Sequence, residues 1–212
     1  MDDVLRHLVP FALWLSGAAK AVDVVAAGSF ALGLWLALPV LVMAWRFRVG
    51  AAMMAVAWLP WVLWSGTTHP LLVALVAALL AVFPAEHQRR LLFRTQLTAL
   101  YVGAGVAKLL SPRWVGGDVV GGWDVWPVTL APASAVVWGT VIVEIAAGVL
   151  LWVNDRAALA VGLVMHAAIT VGMWWVVPAA RVELLIFNGL AAAMLIVVTR
   201  SPASGQRDAA AR

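Results

Sequence analysis

Three residues of one apolar segment carry side chains that could exchange protons or bind an anion. Arg94, Tyr101 and Lys108 follow one another at intervals of seven residues, so a helix would place them on one face. Tyr101 is the only tyrosine of the chain. Burial among Leu and Ala disfavours the charged form of an amine, which makes Lys108 a candidate general base. The alternative is a lysine whose head reaches the lipid headgroups along its own hydrocarbon stem.

A second pair of polar residues, Glu144 and His166, flanks the short turn at residues 154–156. Each lies ten residues from that turn. An antiparallel hairpin would therefore hold both at one depth, roughly 16 Å into the membrane at about 1.5 Å per residue. Because an isolated charge is costly there, we expect a Glu144–His166 hydrogen bond or ion pair. The pair would either handle protons or act as a structural clasp between two helices.

His69 lies in the sequence Ser-Gly-Thr-Thr-His-Pro at residues 65–70, between two apolar runs. By itself it is typical of a solvated loop histidine. No spacing of His and Glu suits a zinc site, and the chain has no cysteine, so we expect no metal. The glycine-rich residues 116–124 follow no strand and predict a flexible outer loop rather than a phosphate-binding loop.

The composition decides which elements must position these residues. Hydrophobic residues make up 65% of the 212 residues and charged residues 11%, against about 45–50% and 25% in soluble domains. The mean hydropathy is +1.00. These values exclude an ordinary water-soluble globule and a disordered chain. The continuous runs of Leu, Ala and Val also differ from the alternating strands of a membrane barrel. We therefore predict an all-α, polytopic bundle of transmembrane helices.

Breaks rich in charge, Gly and Pro divide the chain into apolar runs. Six runs are predicted at 51–64, 70–83, 92–110, 130–153, 157–177 and 184–199. The opening stretch, residues 8–45, is too long for one span of about 20 residues, and we divide it near 26–29. This gives eight membrane segments, or seven if residues 8–22 lie at the interface. Residues 1–200 would form one transmembrane domain, and 201–212 a disordered cytoplasmic tail.

The basic residues sort by membrane side. With the N-terminus inside, the cytoplasmic side receives ten of the 14 Lys and Arg residues, as the positive-inside rule requires. These ten are Arg6, Arg46, Arg48, Arg89, Arg90, Arg94, Arg156, Arg200, Arg207 and Arg212. The other four are Lys20, Lys108, Arg113 and Arg181. We therefore predict both termini in the cytoplasm of a bacterial-type plasma membrane, with the lipid bilayer rather than nucleic acid as the partner of the basic residues.

Residues 94–117 resemble the central motif of a known membrane family, the HTTM family. That family includes the membrane part of vitamin K-dependent γ-glutamyl carboxylase. The hairpin with Glu144 and His166 is similar to the family in the same order, and His69 is similar to an earlier histidine at its mouth. The resemblance covers about residues 30–199. Its central motif is carried by Arg94, Gln96, Tyr101, Ala104, Gly105, Lys108, Leu109, Trp114 and Gly117.

The resemblance implies a chemistry for Lys108. In the carboxylase, the matching lysine deprotonates reduced vitamin K, which then reacts with oxygen to give a base that takes the γ-proton of a peptide glutamate. His69 matches a histidine that supports this chemistry. By resemblance, the cofactor would be reduced vitamin K or menaquinol, and Glu144 with His166 would form a polar pair behind the site.

The sequence also departs from the carboxylase. It has Ala107-Lys108 where the enzyme has two adjacent lysines, and it continues only about a dozen residues beyond its last predicted helix. Short bacterial members of the family include a maturation partner of a secreted peptide. The alternative function is therefore a non-catalytic membrane partner for the maturation or export of a secreted peptide or extracytoplasmic protein. A transporter is a third hypothesis and would require a continuous polar path.

Overall fold

The computed structural model describes residues 2–65, 68–83, 85–121, 132–176 and 181–200. These residues are almost entirely helical and contain no strand, which confirms the all-α prediction. The predicted disordered tail, 201–212, lies outside the described residues. The helices are α1 Asp2–Ala26, α2 Phe30–Trp45, α3 Phe47–Ser65, α4 Thr68–Val82, α5 Glu86–Leu109, α6 Pro112–Val115, α7 Asp118–Gly121, α8 Ala133–Val153, α9 Asp155–Val176 and α10 Arg181–Thr199.

Local sequence explains where several helices end. α1 ends just before Gly28, whose φ of 86° is a left-handed conformation that glycine adopts without steric cost. This confirms the division predicted near 26–29. α6 begins after Ser111, whose side chain accepts a hydrogen bond from the backbone N–H of Trp114. Asn154 caps α9 by accepting hydrogen bonds from the N–H groups of Arg156 and Ala157, at 3.1 Å each.

The predicted count of eight membrane segments is not supported by helix length and hydropathy. Four helices of the described chain are long and apolar enough to cross a membrane. α2, α3 and α4 are apolar but have shorter apolar stretches. α5 has 24 residues, but Arg94, Gln96 and Lys108 lower its hydropathy. The four segments that meet both conditions are His7–Ala26, Ala133–Val153, Asp155–Trp174 and Arg181–Thr199.

α10 lies at the centre of the described bundle. It packs against α1, α4, α5 and α9, while α5 packs against α8, and α1 to α4 pack in sequence. Its buried residues lie on nearly every side of the helix, as expected for a helix without a free polar face. Large apolar side chains elsewhere face outward, among them Leu110 at 77% exposure and Trp45 at 81%. Together with the four long apolar helices, this describes a membrane-embedded protein.

Polar contacts distinguish the two ends of the bundle. At what we call the arginine end, Arg48 Nε binds the carbonyl oxygen of Ala81 at 2.9 Å, and Arg94 Nη2 binds Asp155 Oδ1 at 2.8 Å. Both lysines of the chain, Lys20 and Lys108, lie toward the other end, which we call the lysine end. The sorting of the basic residues between two membrane sides stays a prediction.

Candidate functional site

An ion pair between α5 and α8 lies at the centre of the candidate site. The Nζ of Lys108 binds Glu144 Oε1. The lysine side chain is 22% exposed and the glutamate side chain 8%. The same Nζ lies 5.1 Å from the centroid of the Trp114 ring, a cation–π distance. The structure therefore brings together three residues of the predicted site, and Lys108 is an ion-pair partner rather than an isolated amine.

Two glycines let α5 and α8 approach closely enough for this pair. A Cβ atom added at Gly105 would lie 2.6 Å from Ile145 Cγ1, and one added at Gly148 would lie 2.7 Å from Val102 Cγ2. Such contacts between small residues are common where helices associate in membranes. Side chains lean toward the N-terminus of their own helix, and the Lys108 side chain, at the end of α5, points back toward Glu144.

The second oxygen of Glu144 has no hydrogen-bond partner among the described residues. Oε2 is buried, while Oε1 is bound to Lys108. A buried acceptor without a donor is unfavourable by about 1–3 kcal/mol. A hydroxyl or amide hydrogen that reached Oε2 would remove this cost. The carboxylate can therefore accept a hydrogen bond or a proton from a bound molecule.

The expected Glu144–His166 interaction is wrong. His166 instead lies between two other side chains, with its Nε2 2.7 Å from the Tyr101 hydroxyl and its Nδ1 2.6 Å from Asn188 Oδ1. Equal distance from the turn on two neighbouring helices was not sufficient to pair them. Glu144 lies on the face of α8 that packs against α5, whereas His166 points toward α5 and α10.

The contacts of Asn188 determine the direction of this hydrogen-bond chain. Its Nδ2 donates to the carbonyl oxygen of Leu184 at 2.9 Å, so its Oδ1 is the acceptor for His166 Nδ1–H. In a neutral histidine, Nε2 then accepts the hydrogen of the Tyr101 hydroxyl. Tyr101, His166 and Asn188 are 2–4% exposed, so the chain is a sealed structural element rather than an open site.

Arg94 forms a clasp at the arginine end. Besides Asp155, its Nη2 binds the carbonyl oxygen of Val198 at 3.3 Å, and its guanidinium lies 5.7 Å from the Trp152 ring. The residue therefore ties α5 to α8, α9 and α10. The predicted common face of α5 points toward α8 and α9. Each of its three polar residues nevertheless binds a different partner: Arg94 binds Asp155, Tyr101 binds His166, and Lys108 binds Glu144.

The remaining predicted residues differ in what the structure describes. His69 is the second residue of α4, and its side chain lies outside the described part of the chain. Gly117 adopts a φ of 84° in the turn between α6 and α7, so a side chain there would be strained. The expected flexible outer loop, residues 116–124, contains the short helix α7, and residues 122–131 lie outside the described residues.

Sequence reasoning missed two polar features. Asn188 is the only amide side chain within α10, and a single amide in an apolar helix is a signal that could have found it. At the lysine end, the buried Nζ of Lys20 binds Asp23 Oδ2 and Glu183 Oε1 at 2.9 Å each. This cluster joins α1 to α10. Lys20 and Glu183 are 163 residues apart in the sequence, so no local pattern predicted their contact.

No group of three or more His, Cys, Asp or Glu side chains that could hold a metal is found in the part of the chain that the structure describes. Comparison of the chain with protein-family models, with curated proteins and with solved structures finds no match. The resemblance of residues 94–117 to the HTTM motif therefore stays a prediction.

Proposed function

We propose that this chain is an integral membrane protein that binds a lipid-soluble quinol at the Lys108–Glu144 pair and accepts its hydroxyl proton there. The observation that carries the proposal is a carboxylate with one bound and one free oxygen, inside an apolar bundle. Ionisable groups in such surroundings are costly and usually mark function. The resemblance to the HTTM family, with its reduced vitamin K or menaquinol cofactor, is in accord with it.

The residues at this site fit a quinol headgroup. Glu144 Oε2 can accept a hydrogen bond from a hydroxyl group, and Lys108 Nζ has further donor hydrogens. The Trp114 indole offers a flat apolar surface close to Nζ. Leu109 and Leu110, which follow Lys108, are exposed at 38% and 77%, so the site borders the lipid from which a quinol would arrive.

Each residue then has one role. Glu144 accepts the hydroxyl proton, Lys108 balances the negative charge beside it, and Trp114 orients the ring. A bound quinol would supply the acidic hydroxyl group and reducing electrons. This assigns the base to Glu144 rather than to Lys108, because the lysine already donates a hydrogen bond to that carboxylate. His69 is proposed as a supporting residue on the resemblance alone.

The proposal includes a membrane arrangement. We propose that α1 to α5 and α8 to α10 all cross a bacterial-type plasma membrane, with both termini and the arginine end in the cytoplasm. The shorter helices would cross with help from polar residues at their ends and from local thinning of the bilayer. The lysine end, and with it the Lys108–Glu144 pair, would then face the outer side.

The experiment measures the quinone that remains with the protein after purification. The full chain, expressed in bacterial membranes, is purified in mild detergent, and menaquinone is quantified by mass spectrometry. Loss of a hydrogen bond to a charged group is worth about 1.5–3 kcal/mol, or about tenfold or more in affinity. We therefore expect Lys108→Ala and Glu144→Gln to lower retention at least that much. Arg113→Gln, which removes an exposed charge at the same end, is the matched control.

Equal quinone retention in all four proteins would overturn the proposal. The alternative, a non-catalytic partner of a secreted peptide or extracytoplasmic protein, predicts that outcome together with co-purification of the peptide. Helix content by circular dichroism separates both results from misfolding, since a variant that fails to fold would lose the quinone for an unrelated reason. Where Glu144→Gln unfolds, Trp114→Ala gives a second test of the same site.

A further inference from the structure

A cleft at the arginine end lies on the opposite side of the bundle from the Lys108–Glu144 pair. It is a shallow depression between α1, α4, α5 and α10. Its floor is apolar, since Val9, Leu80, Phe93 and Val197 are all buried. Its other side is formed by charged residues at the start of α5. The cleft therefore combines an apolar floor with a polar rim.

The rim has an excess of positive charge. Arg89, Arg90 and Glu86 border the cleft, and Arg90 forms an ion pair with Glu86. The Arg89 side chain has no hydrogen-bond or ion-pair partner among the described residues, while its backbone N–H binds the carbonyl oxygen of Ala85 at 3.2 Å. The Nε of Arg90 is buried and likewise has no hydrogen-bond partner there. The guanidinium donors at this rim are therefore only partly used.

Gln96 gives a second, independent sign of a missing partner on the same helix face. It follows Arg89 by seven residues and Phe93 by three, so it lies deeper along the face of α5 that borders the cleft. Both its Oε1 and its Nε2 are buried without a hydrogen-bond partner among the described residues. Buried polar atoms of proteins are nearly always hydrogen-bonded, to protein, water or ligand.

We infer that this cleft binds the phosphate-containing headgroup of an acidic phospholipid. Arginine forms bidentate hydrogen bonds to phosphate oxygens, and Arg89 with Arg90 presents two guanidinium groups at one opening. The apolar residues below the rim would lie next to the glycerol of the lipid. Basic pockets between membrane helices on the cytoplasmic side are known to bind such lipids. The membrane side rests on the proposed orientation, whereas the binding itself does not depend on it.

Gln96 does not line the cleft itself, but it lies one turn of α5 beyond Phe93, which does. Its amide has one donor group and one acceptor, so headgroup hydroxyls or the water carried with the phosphate would satisfy both ends. Without a ligand, Gln96→Leu should raise the thermal stability of the protein because it removes an unpartnered amide from the interior. With the lipid bound, the same change should reduce the gain in stability that the lipid gives. These opposite effects distinguish a binding role from a purely structural one.

The test uses the full chain in detergent and native mass spectrometry with added dioleoyl phosphatidylglycerol or dioleoyl phosphatidylcholine. One arginine near the membrane surface contributes about a fivefold change in affinity. We therefore expect Arg89→Gln to weaken phosphatidylglycerol binding by about that factor. Arg156→Gln, which removes an exposed arginine at the same end, should leave it unchanged. Arg89→Lys keeps the charge but loses the planar guanidinium that can form two hydrogen bonds to one phosphate. Its affinity for phosphatidylglycerol should therefore lie between those of the other two variants.

Two further arms separate the possible sources of the phosphate. Inorganic phosphate and glycerol 3-phosphate are added in competition, and we expect neither to displace the lipid at equal concentration. Displacement by either would show a site for a free phosphate and overturn the lipid assignment. Equal binding of the two lipids, or equal weakening by Arg89→Gln and Arg156→Gln, would overturn the site. Because the quinone measurement does not involve these residues, the two proposals fail independently.

Discussion

At the scale of single residues, the Lys108–Glu144 pair has a large effect on stability. Removing one member of a buried ion pair leaves an uncompensated charge, which costs about 3–5 kcal/mol in a protein interior. The 22% exposure of the lysine side chain lets water and headgroups screen part of that charge. The loss should therefore be smaller when the charge left behind is that of the more exposed lysine.

We expect Lys108→Met to destabilise the protein by about 3 kcal/mol and Glu144→Gln by about 2 kcal/mol. The double variant Lys108→Met with Glu144→Gln should recover most of this loss, because both charges are then absent. The measurement is thermal unfolding in detergent followed by circular dichroism. Additive losses in the double variant would contradict an energetically coupled pair.

The buried chain of Tyr101, His166 and Asn188 gives a second residue-scale prediction. Tyr101→Phe removes only the hydroxyl group and leaves His166 Nε2 without a donor, so we expect a loss of about 1–2 kcal/mol in unfolding free energy. Thr170→Val is the matched control. The Thr170 hydroxyl only binds the carbonyl oxygen of His166 within the same helix, and its loss should cost less than about 0.5 kcal/mol. Equal effects would show that the Tyr101–His166 contact is not a stabilising bond.

At the scale of elements, the α5–α8 contact decides whether the candidate site can form. Gly105→Ala would place a Cβ atom 2.6 Å from Ile145 Cγ1 and 3.3 Å from the carbonyl oxygen of Val141. The helices must then separate, at a cost of about 1–3 kcal/mol. Lys108, one turn further along α5, would move away from Glu144.

Gly103→Ala is a matched control for this prediction, two residues earlier on the same helix. A Cβ atom there meets nothing within 4 Å, and alanine favours a helix over glycine by up to about 1 kcal/mol. We therefore expect Gly103→Ala to be neutral or stabilising in thermal unfolding. Similar losses for both glycine variants would show that the close contact of α5 and α8 does not stabilise the bundle.

At the scale of the whole molecule, the number of membrane crossings separates two arrangements. If only the four long apolar helices cross, the chain between α1 and α8 stays on one side, and Gln88 lies on the same side as Ala27. If α1 to α5 and α8 to α10 all cross, Gln88 lies on the opposite side of the membrane from Ala27. The absence of cysteine makes single-cysteine labelling direct.

We expect an impermeant maleimide to label Ala27→Cys and Arg113→Cys in intact cells, and to label Gln88→Cys and Arg156→Cys only after permeabilisation. All four positions are exposed, so their reactivity reports the membrane side rather than burial. Labelling of Gln88→Cys in intact cells would contradict the proposed eight-helix arrangement and favour the four-helix one.

Much of the fold was predictable because helices in a membrane depend on local sequence. Apolar runs form helices wherever the backbone must satisfy its own hydrogen bonds, and charge, Gly and Pro interrupt them. The predicted break before α2 and the predicted turn at 154–156 therefore lie where the structure has them. The number of crossings was less predictable, since run boundaries alone do not state whether a helix of 15 or 16 residues reaches both interfaces.

The sequence by itself determined most helix boundaries of this protein and how far each polar residue lies along its helix, because both depend on local sequence and on a helix of known rise. Only the tertiary structure decided which polar residues meet. Partner choice depends on how each helix is rotated about its axis, and contacts between distant segments determine that rotation. The glycines at the α5–α8 contact therefore let Glu144 reach Lys108, while His166 is hydrogen-bonded to Asn188 of the central helix.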